Sequence, residues 1–349
     1  MTLVPCSRKA LVATALAGTV LAGSAACGPV KELSAAQKIG RAVERLGEQR
    51  ALSVEFDLDT DAATIKALDA QATAGAPGDE MPTEVAELLA DLHISMSVQS
   101  RKPLKESEGE DITGIAVKVS SAAMDLAEYR VIGDHSYLRA DVKALAAKAG
   151  LALSAEDLPE DATALRPLLD GQWIKVSNAD LRDAADLPVD VDSTMDAPTG
   201  RKFDEALRGV LKREVELTDL GERDGVDHIT ATAQVRTLLT ELTDKVRPFA
   251  KHFSPVPELP SAKDLKELSD EKATADFALK NGELTEVTVN LAKLAENAKV
   301  KKLDVVVRLG KGGPAVTAPA RSTDVTMDEL TQEFLETLEP WDLEEPPAA

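Results

Sequence analysis

Cysteine and aromatic residues are scarce in this 349-residue sequence. The cysteines are Cys6 and Cys27, and Phe, Trp and Tyr together make up 3% of the chain. Cys6 precedes the cleavage site described below, so the mature chain keeps one cysteine and no intramolecular disulfide forms. Its stability must come from a hydrophobic core, for which about 320 residues suffice. The low aromatic content argues against a carbohydrate-binding platform of stacked rings.

The sequence also lacks the motifs of common catalytic sites. It contains no GxSxG, no Walker loop, no HExxH and no GxGxxG on a strand-to-helix turn. The histidines are scattered, and most fall in or beside predicted strands, where we interpret them as polar residues facing solvent. We therefore predict that the protein is not an enzyme and has no catalytic residue, cofactor or metal site. The histidines are His93, His135, His228 and His252.

One acidic stretch, residues 186–196, resembles part of a calcium loop. Asp190, Asp192 and Thr194 alternate as in an EF-hand. However, Met195 takes the sixth position, where the loop needs glycine, and Arg201 takes the twelfth, where it needs glutamate. We interpret this stretch as a solvated loop.

Acidic residues outnumber basic ones, 61 to 40, which gives a formal net charge of −21. Removal of a leader containing Arg8 and Lys9 would make it −23. Such a surface repels phosphate backbones and anionic lipid head groups. We therefore predict no nucleic-acid partner, and we expect membrane contact to depend on an attached lipid.

The first 26 residues have the organisation of a bacterial signal peptide. Residues 10–21 form an apolar run of twelve, which is shorter than the roughly 20 residues that span a bilayer but matches a signal-peptide core. Small residues then lead to Cys27, as in a lipobox, so Cys27 is the predicted lipid-attachment residue. In the alternative interpretation, Ser24 and Ala26 direct ordinary cleavage and Cys27 stays unmodified.

Eleven segments of the mature chain alternate apolar and polar side chains, which is typical of strands that bury one face. Short turns such as Gly133-Asp134 indicate antiparallel pairing. Capping boxes at Ser34/Gln37 and Thr326/Glu329 begin the first and last helices. The sequence therefore predicts an α+β fold, in which helices cross the apolar face of an antiparallel sheet of about eleven strands.

The segment DFALKNGELTEVTVNL predicts a hairpin. A two-residue turn at Asn281-Gly282 would put Phe277 and Val287 on opposite faces. A three-residue loop, Lys280 to Gly282, pairs residue 275 with Val287. This register puts Phe277 and Val287 on the same face. We therefore predict the three-residue loop with a bulge.

Helices laid across a curved sheet leave a gap where they do not fit, and a gap lined by aliphatic side chains is an apolar pocket. The alternative is a filled core with no ligand. The predicted lining residues are Val54, Phe56, Met96, Val98, Ile115, Val117, Val119, Phe277, Val287, Val289, Val305 and Val307.

The order of these elements resembles the actinobacterial LppX/LprG-type lipoproteins, which are similar in shape to the LolA periplasmic carriers. The resemblance rests on the lipobox, the N-terminal helix, the hairpin YRVIGDHSYLR, the strand GQWIKV and the late segment GGPAVTAPARSTDV. It implies a twisted half-barrel over residues 27–339, with helices across the concave side enclosing a cavity for acyl chains. Residues 1–26 would be the signal peptide and 340–349 a disordered acidic tail.

Together these features predict a monomeric lipoprotein, anchored by its N-terminal lipid to the outer face of the cell membrane. Its predicted ligand is a lipid or glycolipid, and lipid transport is the expected role. The alternative is a lipid-anchored structural or interaction protein with a filled core.

Overall fold

One large sheet and the helices around it make up the fold. The computed structural model describes residues 33–72, 81–121, 124–148, 158, 162–184, 197–252, 259–267, 270–292, 300 and 302–338. The strands are β1 (Ala51–Asp59), β2 (His93–Ser100), β3 (Ile112–Ser121), β4 (Met124–Ile132), β5 (His135–Ala140), β6 (Ile174–Ser177), β7 (Val215–Arg223), β8 (Val226–Gln234), β9 (Lys272–Lys280), β10 (Glu283–Asn290), β11 (Asp304–Lys311) and β12 (Thr323–Asp324). The α-helices are α1 (Ala35–Gly47), α2 (Ala62–Ala72), α3 (Thr83–Ala90), α4 (Val142–Lys148), α5 (Leu165–Leu169), α6 (Asn178–Ala184), α7 (Ala197–Glu214), α8 (Val235–Val246), α9 (Ala262–Glu267) and α10 (Met327–Leu338).

The twelve strands form an open sheet in the order β12-β6-β5-β4-β3-β2-β1-β11-β10-β9-β8-β7. Neighbouring strands are antiparallel except β12 and β6, which are parallel. The predicted α+β class is confirmed. The predicted strand count of about eleven misses β12, because two residues are too few for alternation to be visible in the sequence.

Strand register separates an inner, apolar face of the sheet from an outer, polar face. Met96 lies opposite both Val54 and Val117, so three neighbouring strands align their apolar side chains. On the other side of β1, Phe56 lies opposite Val307. Because side chains alternate between faces along a strand, all twelve predicted lining residues lie on the inner face.

The β9–β10 hairpin differs from its prediction. Its turn has two residues, Asn281 and Gly282, with φ of 54° and 72°, and Lys280 lies opposite Glu283. Positive φ at both central positions is what a type I′ turn requires, and an Asn-Gly pair adopts it readily. The predicted three-residue loop is therefore wrong.

A bulge restores the register of this hairpin. Thr285 has no partner in the register between Leu284 and Glu286, so Phe277 lies opposite Val287 and Ala275 opposite Val289. The predicted pairing of residue 275 with Val287 is wrong. The prediction that Phe277 and Val287 share a face is confirmed, because the extra residue returns β10 to the same alternation.

Local signals at the helix starts and at one tight turn are confirmed. Ser34 and Gln37 form a capping box at α1, and Thr326 and Glu329 form another at α10. The β4–β5 turn is the predicted two-residue Gly133-Asp134 turn, since Ile132 lies opposite His135.

Helices bury both flanks of the inner face. Helix α1 packs Ile39 and Val43 against Ile229, Leu279 and Leu284 of the sheet. At the other flank, helices α5, α6 and α10 pack around β5 and β6. The buried members of this second cluster are Ala164, Leu168, Ile174, Val176 and Val325.

Residues 312–322, here called the outer strap, cross the outer face between β11 and β12. The Gln99 side-chain amide makes two hydrogen bonds to the strap. Its Nε2 donates to the Pro314 carbonyl (3.0 Å), and its Oε1 accepts from the Val316 N–H (3.2 Å). Arg130 Nη1 donates to the Thr317 carbonyl at 2.7 Å. The strap thus connects the middle of the sheet to its edge.

Candidate functional site

The centre of the inner face carries a continuous set of apolar side chains, here called the central strip. Its residues are neighbours by register on β1, β2, β3, β10 and β11. The strip consists of Val54, Phe56, Leu58, Ile94, Met96, Val117, Val119, Val289, Val305 and Val307.

Burial on the inner face is greater at the two flanks, and at Leu52 and Ile115 on the central strands, than along the central strip. All residues of the central strip are half-buried, and none belongs to the fully buried clusters found among the described residues. At the flanks, Ile229 and Ile174 are both 0% exposed. Side chains inside a close-packed core are enclosed on all sides, so the remaining exposure of every member marks the central strip as an incompletely covered apolar surface.

Eight of the twelve predicted lining residues lie in the central strip. Of the other four, Phe277 and Val287 pack against the α1 cluster. Ile115 is fully buried and contacts a separate small cluster with Val98. Leu58 and Ile94 lie in the strip but were not predicted as lining residues, although their alternation on β1 and β2 was the same signal.

A cavity of about 100 Å³, here called the rim pocket, opens beside the C-terminal end of α1. This is smaller than the roughly 300–1,000 Å³ of typical ligand pockets. Leu309 in its lining lies opposite Val54, so the pocket adjoins the central strip. The pocket is lined by Ala42, Arg45, Leu46, Glu283, Leu284, Thr285, Leu309 and Lys311.

Two cations border the rim pocket. Arg45 Nη1 donates to the carbonyls of Asn281 and Gly282, each at 3.0 Å. Lys311 is ion-paired with Glu283 on the neighbouring strand. Within the described residues no carboxylate pairs with Arg45, so the local charge is positive in an acidic protein.

An ion triad attaches the start of α1 to the β7–β8 hairpin. Lys38 Nζ lies 2.9 Å from Asp219 and 3.0 Å from Asp227. The hydrogen bond from Lys38 lowers the pKa of Asp219, and the Gly221 N–H lowers it further. Hydrogen bonds to the two carboxylates in turn raise the pKa of Lys38. The triad therefore stays charged over the neutral pH range and links α1 to the β7–β8 hairpin.

The outer face is covered by charge pairs. His93 Nδ1 lies 2.6 Å from Asp57, and His228 Nδ1 lies 2.9 Å from Asp276. These two histidines occupy the polar positions that alternation predicts, and each contacts one carboxylate. The Trp173 ring lies under the guanidinium carbons of Arg130 and Arg139, at 4.6 and 5.3 Å.

Within the described part of the chain, no three His, Cys, Asp or Glu side chains group together as a metal site would require. None of the helices in that part combines the length and apolar character needed to cross a membrane. Cys27, the acidic stretch 186–196 and the tail 340–349 lie outside the described residues.

No family model matches the chain, and no curated protein matches it. Among solved structures, it is similar to the crystal structure of the lipoprotein LppX from Mycobacterium tuberculosis. The sequences are 11% identical, the TM-score is 0.31, and the match covers 81% of this chain and 96% of that chain.

Proposed function

We propose that this protein is a lipoprotein of the cell envelope that binds the apolar part of a lipid on its central strip. The observation that carries the proposal is the half-burial of the strip between two flanks that each contain a buried cluster. An aliphatic chain laid along the strip would complete the burial of these side chains. Each methylene removed from water contributes about 0.8 kcal/mol, so a long chain gains enough to bind.

The residues of the strip define the class of ligand. Its members are Val, Leu, Ile, Phe and Met side chains, none of which has a strong hydrogen-bonding group. Such a surface recognises apolar length and shape rather than a specific polar group. The proposed ligand portion is therefore an acyl or other hydrocarbon chain, and the role is binding or carriage of lipid.

The proposed location rests on the N-terminal sequence. Cys27 follows a basic segment, an apolar run and a set of small residues, which together favour lipid attachment. The acidic domain would be repelled by anionic head groups. A lipid on Cys27 is therefore the proposed anchor at the outer face of the membrane.

The rim pocket's small volume favours a second candidate function, that of a lipid-anchored interaction protein whose core is filled. The two candidates differ in whether the purified protein holds an apolar ligand. They therefore make opposite predictions for a direct binding measurement.

Native mass spectrometry of residues 27–349 carrying Cys27→Ala tests the proposal. We expect either a co-purified apolar adduct or stoichiometric binding of added oleyl alcohol. Val117→Trp should reduce this binding, while Lys118→Trp on the outer face should not. A protein that carries no adduct and fails to bind oleyl alcohol is the interaction protein instead.

A further inference from the structure

We propose that the rim pocket binds an anionic head group, a carboxylate or phosphate, of the same ligand whose chain lies on the central strip. This inference rests on the proposed function and names its ligand class: a long-chain anionic amphiphile. Three features of the described residues carry it, namely the position of Arg45, the pairing of Lys311 and the continuity of the apolar floor.

Arg45 is held in place without being neutralised. Its Nη1 donates to the two carbonyls of the β9–β10 turn. A guanidinium has five N–H donors in a fixed plane, arranged to bind a carboxylate or phosphate. Among the described residues only these two carbonyls accept from it, so the remaining donors are available to a ligand at the pocket, which Arg45 lines.

Lys311 supplies a second cation in the same lining. Its partner Glu283 also lines the pocket, and this carboxylate lies where an incoming anion would compete for Lys311. With one carboxylate between two cations, the pocket has a local surplus of one positive charge. In a chain whose formal net charge is −21, such a surplus favours an anion at this position over the rest of the surface.

The pocket continues into the central strip along β11. Leu309 lines the pocket and lies opposite Val54, and Val307 and Val305 follow on the same face. From Leu309 to Val305 the strand runs about 13 Å. An amphiphile with its head at Arg45 therefore needs a long chain to cover the strip, which distinguishes this site from one for a small free anion.

Two probes that differ in the charge of the head group test the inference. Oleate and oleyl alcohol would be titrated into residues 27–349 carrying Cys27→Ala, at low ionic strength. We expect oleate to bind about fivefold more tightly, the effect of one solvent-exposed charge pair. Arg45→Gln should abolish this difference while leaving oleyl alcohol within about twofold of its original affinity.

Two further variants make the test independent of the Arg45 substitution. Glu283→Gln removes the competing carboxylate and should tighten oleate binding while leaving oleyl alcohol unchanged, a gain that misfolding cannot produce. Arg236→Gln removes one positive charge on α8, where Arg236 pairs with Asp270. This matched control should leave the oleate preference intact.

The contrary outcomes distinguish failure of the anionic site from failure of the proposed function. Equal binding of the two probes, or a Glu283→Gln variant with unchanged oleate affinity, overturns the anionic site and leaves the proposed function standing. Acetate that binds as tightly as oleate shows a simple anion site and overturns the amphiphile. If neither probe binds, the proposed function fails, and this inference fails with it.

Discussion

Val316 fills the space beside Gly114 that a side chain at residue 114 would need. A Cβ on Gly114 would lie 2.8 Å from Cβ of Val316 and 3.1 Å from its Cγ1. Gly114 lies opposite Gln99, the residue whose amide holds the outer strap. The lack of a side chain at Gly114 leaves room for Val316, and the Gln99 amide binds the strap beside it. Both residues therefore position the strap on the outer face.

Gly114→Ala should therefore displace the strap and destabilise the protein. We expect a loss of about 1–3 kcal/mol in the free energy of unfolding, the usual cost of overpacking. Urea denaturation measures it. Adding Val316→Ala removes the clash and should recover part of the loss, whereas strictly additive losses in the double variant would show that the contact is not the cause.

The buried carboxylate of Glu333 joins α10 to the start of α5. It accepts from the backbone N–H groups of Thr163 at 2.7 Å, Ala164 at 3.0 Å and Leu165 at 2.8 Å. Glu333→Gln replaces one carboxylate oxygen with an amide donor facing those N–H groups. We expect a loss of about 1–3 kcal/mol by urea denaturation. Glu84→Gln, at an exposed position on α3, is the control and should change little.

Val117→Trp distinguishes an open central strip from a filled core. In a filled core the ring would cost about 1–3 kcal/mol through strain. In an open strip it should be accommodated with a small change in melting temperature and a loss of bound lipid. Both quantities would be measured on the same preparations, with Lys118→Trp as the outer-face control. Marked destabilisation of a protein that never held lipid would favour the interaction protein.

Because of the Lys38 triad, we expect the free energy of unfolding to fall as the pH is lowered into the acid range. The pKa of Asp219 is lower in the folded protein than in the unfolded chain, so its contribution is present above about pH 4 and is lost as pH falls through the folded pKa. Partial solvent exposure limits that contribution to about 1 kcal/mol or less.

The experiment compares the unfolding free energy of the unaltered chain with that of Asp219→Asn across pH. The unaltered chain should be the more stable at neutral pH, and the difference between the two free energies should shrink towards zero in strong acid. Asp91→Asn, at an exposed position, provides the comparison. A difference that stays constant through the acid range would contradict the ion-pair explanation.

Cys27→Ala should move the protein from the membrane fraction to the soluble fraction. The physical reason is that the acidic domain has little attraction for anionic head groups without a lipid. Fractionation of cells followed by detection of the protein measures this. Cys6→Ala is the matched control and should leave the protein in the membrane fraction. Membrane retention of Cys27→Ala would argue against lipid attachment there.

Much of the sheet was predictable because the relevant signals are local. Alternation along a strand reports which side chains share a face, whatever the neighbouring strands are. Alternation therefore predicts that Val54, Met96 and Val117 lie on the apolar faces of their strands. The β9–β10 hairpin shows the limit: the shared face of Phe277 and Val287 was right, but the bulge at Thr285 depends on pairing between strands.

The order of the strands, the course of the outer strap and the cap from Glu333 join residues far apart in the chain. Arg45 meets the Asn281-Gly282 turn across 236 residues, and Glu333 meets Ala164 across 169. Alternation and capping boxes act within a few residues, so local sequence sets the apolar face and the starts of α1 and α10. Which part of that face the helices cover was decided by tertiary packing, because burial depends on where distant segments come to lie.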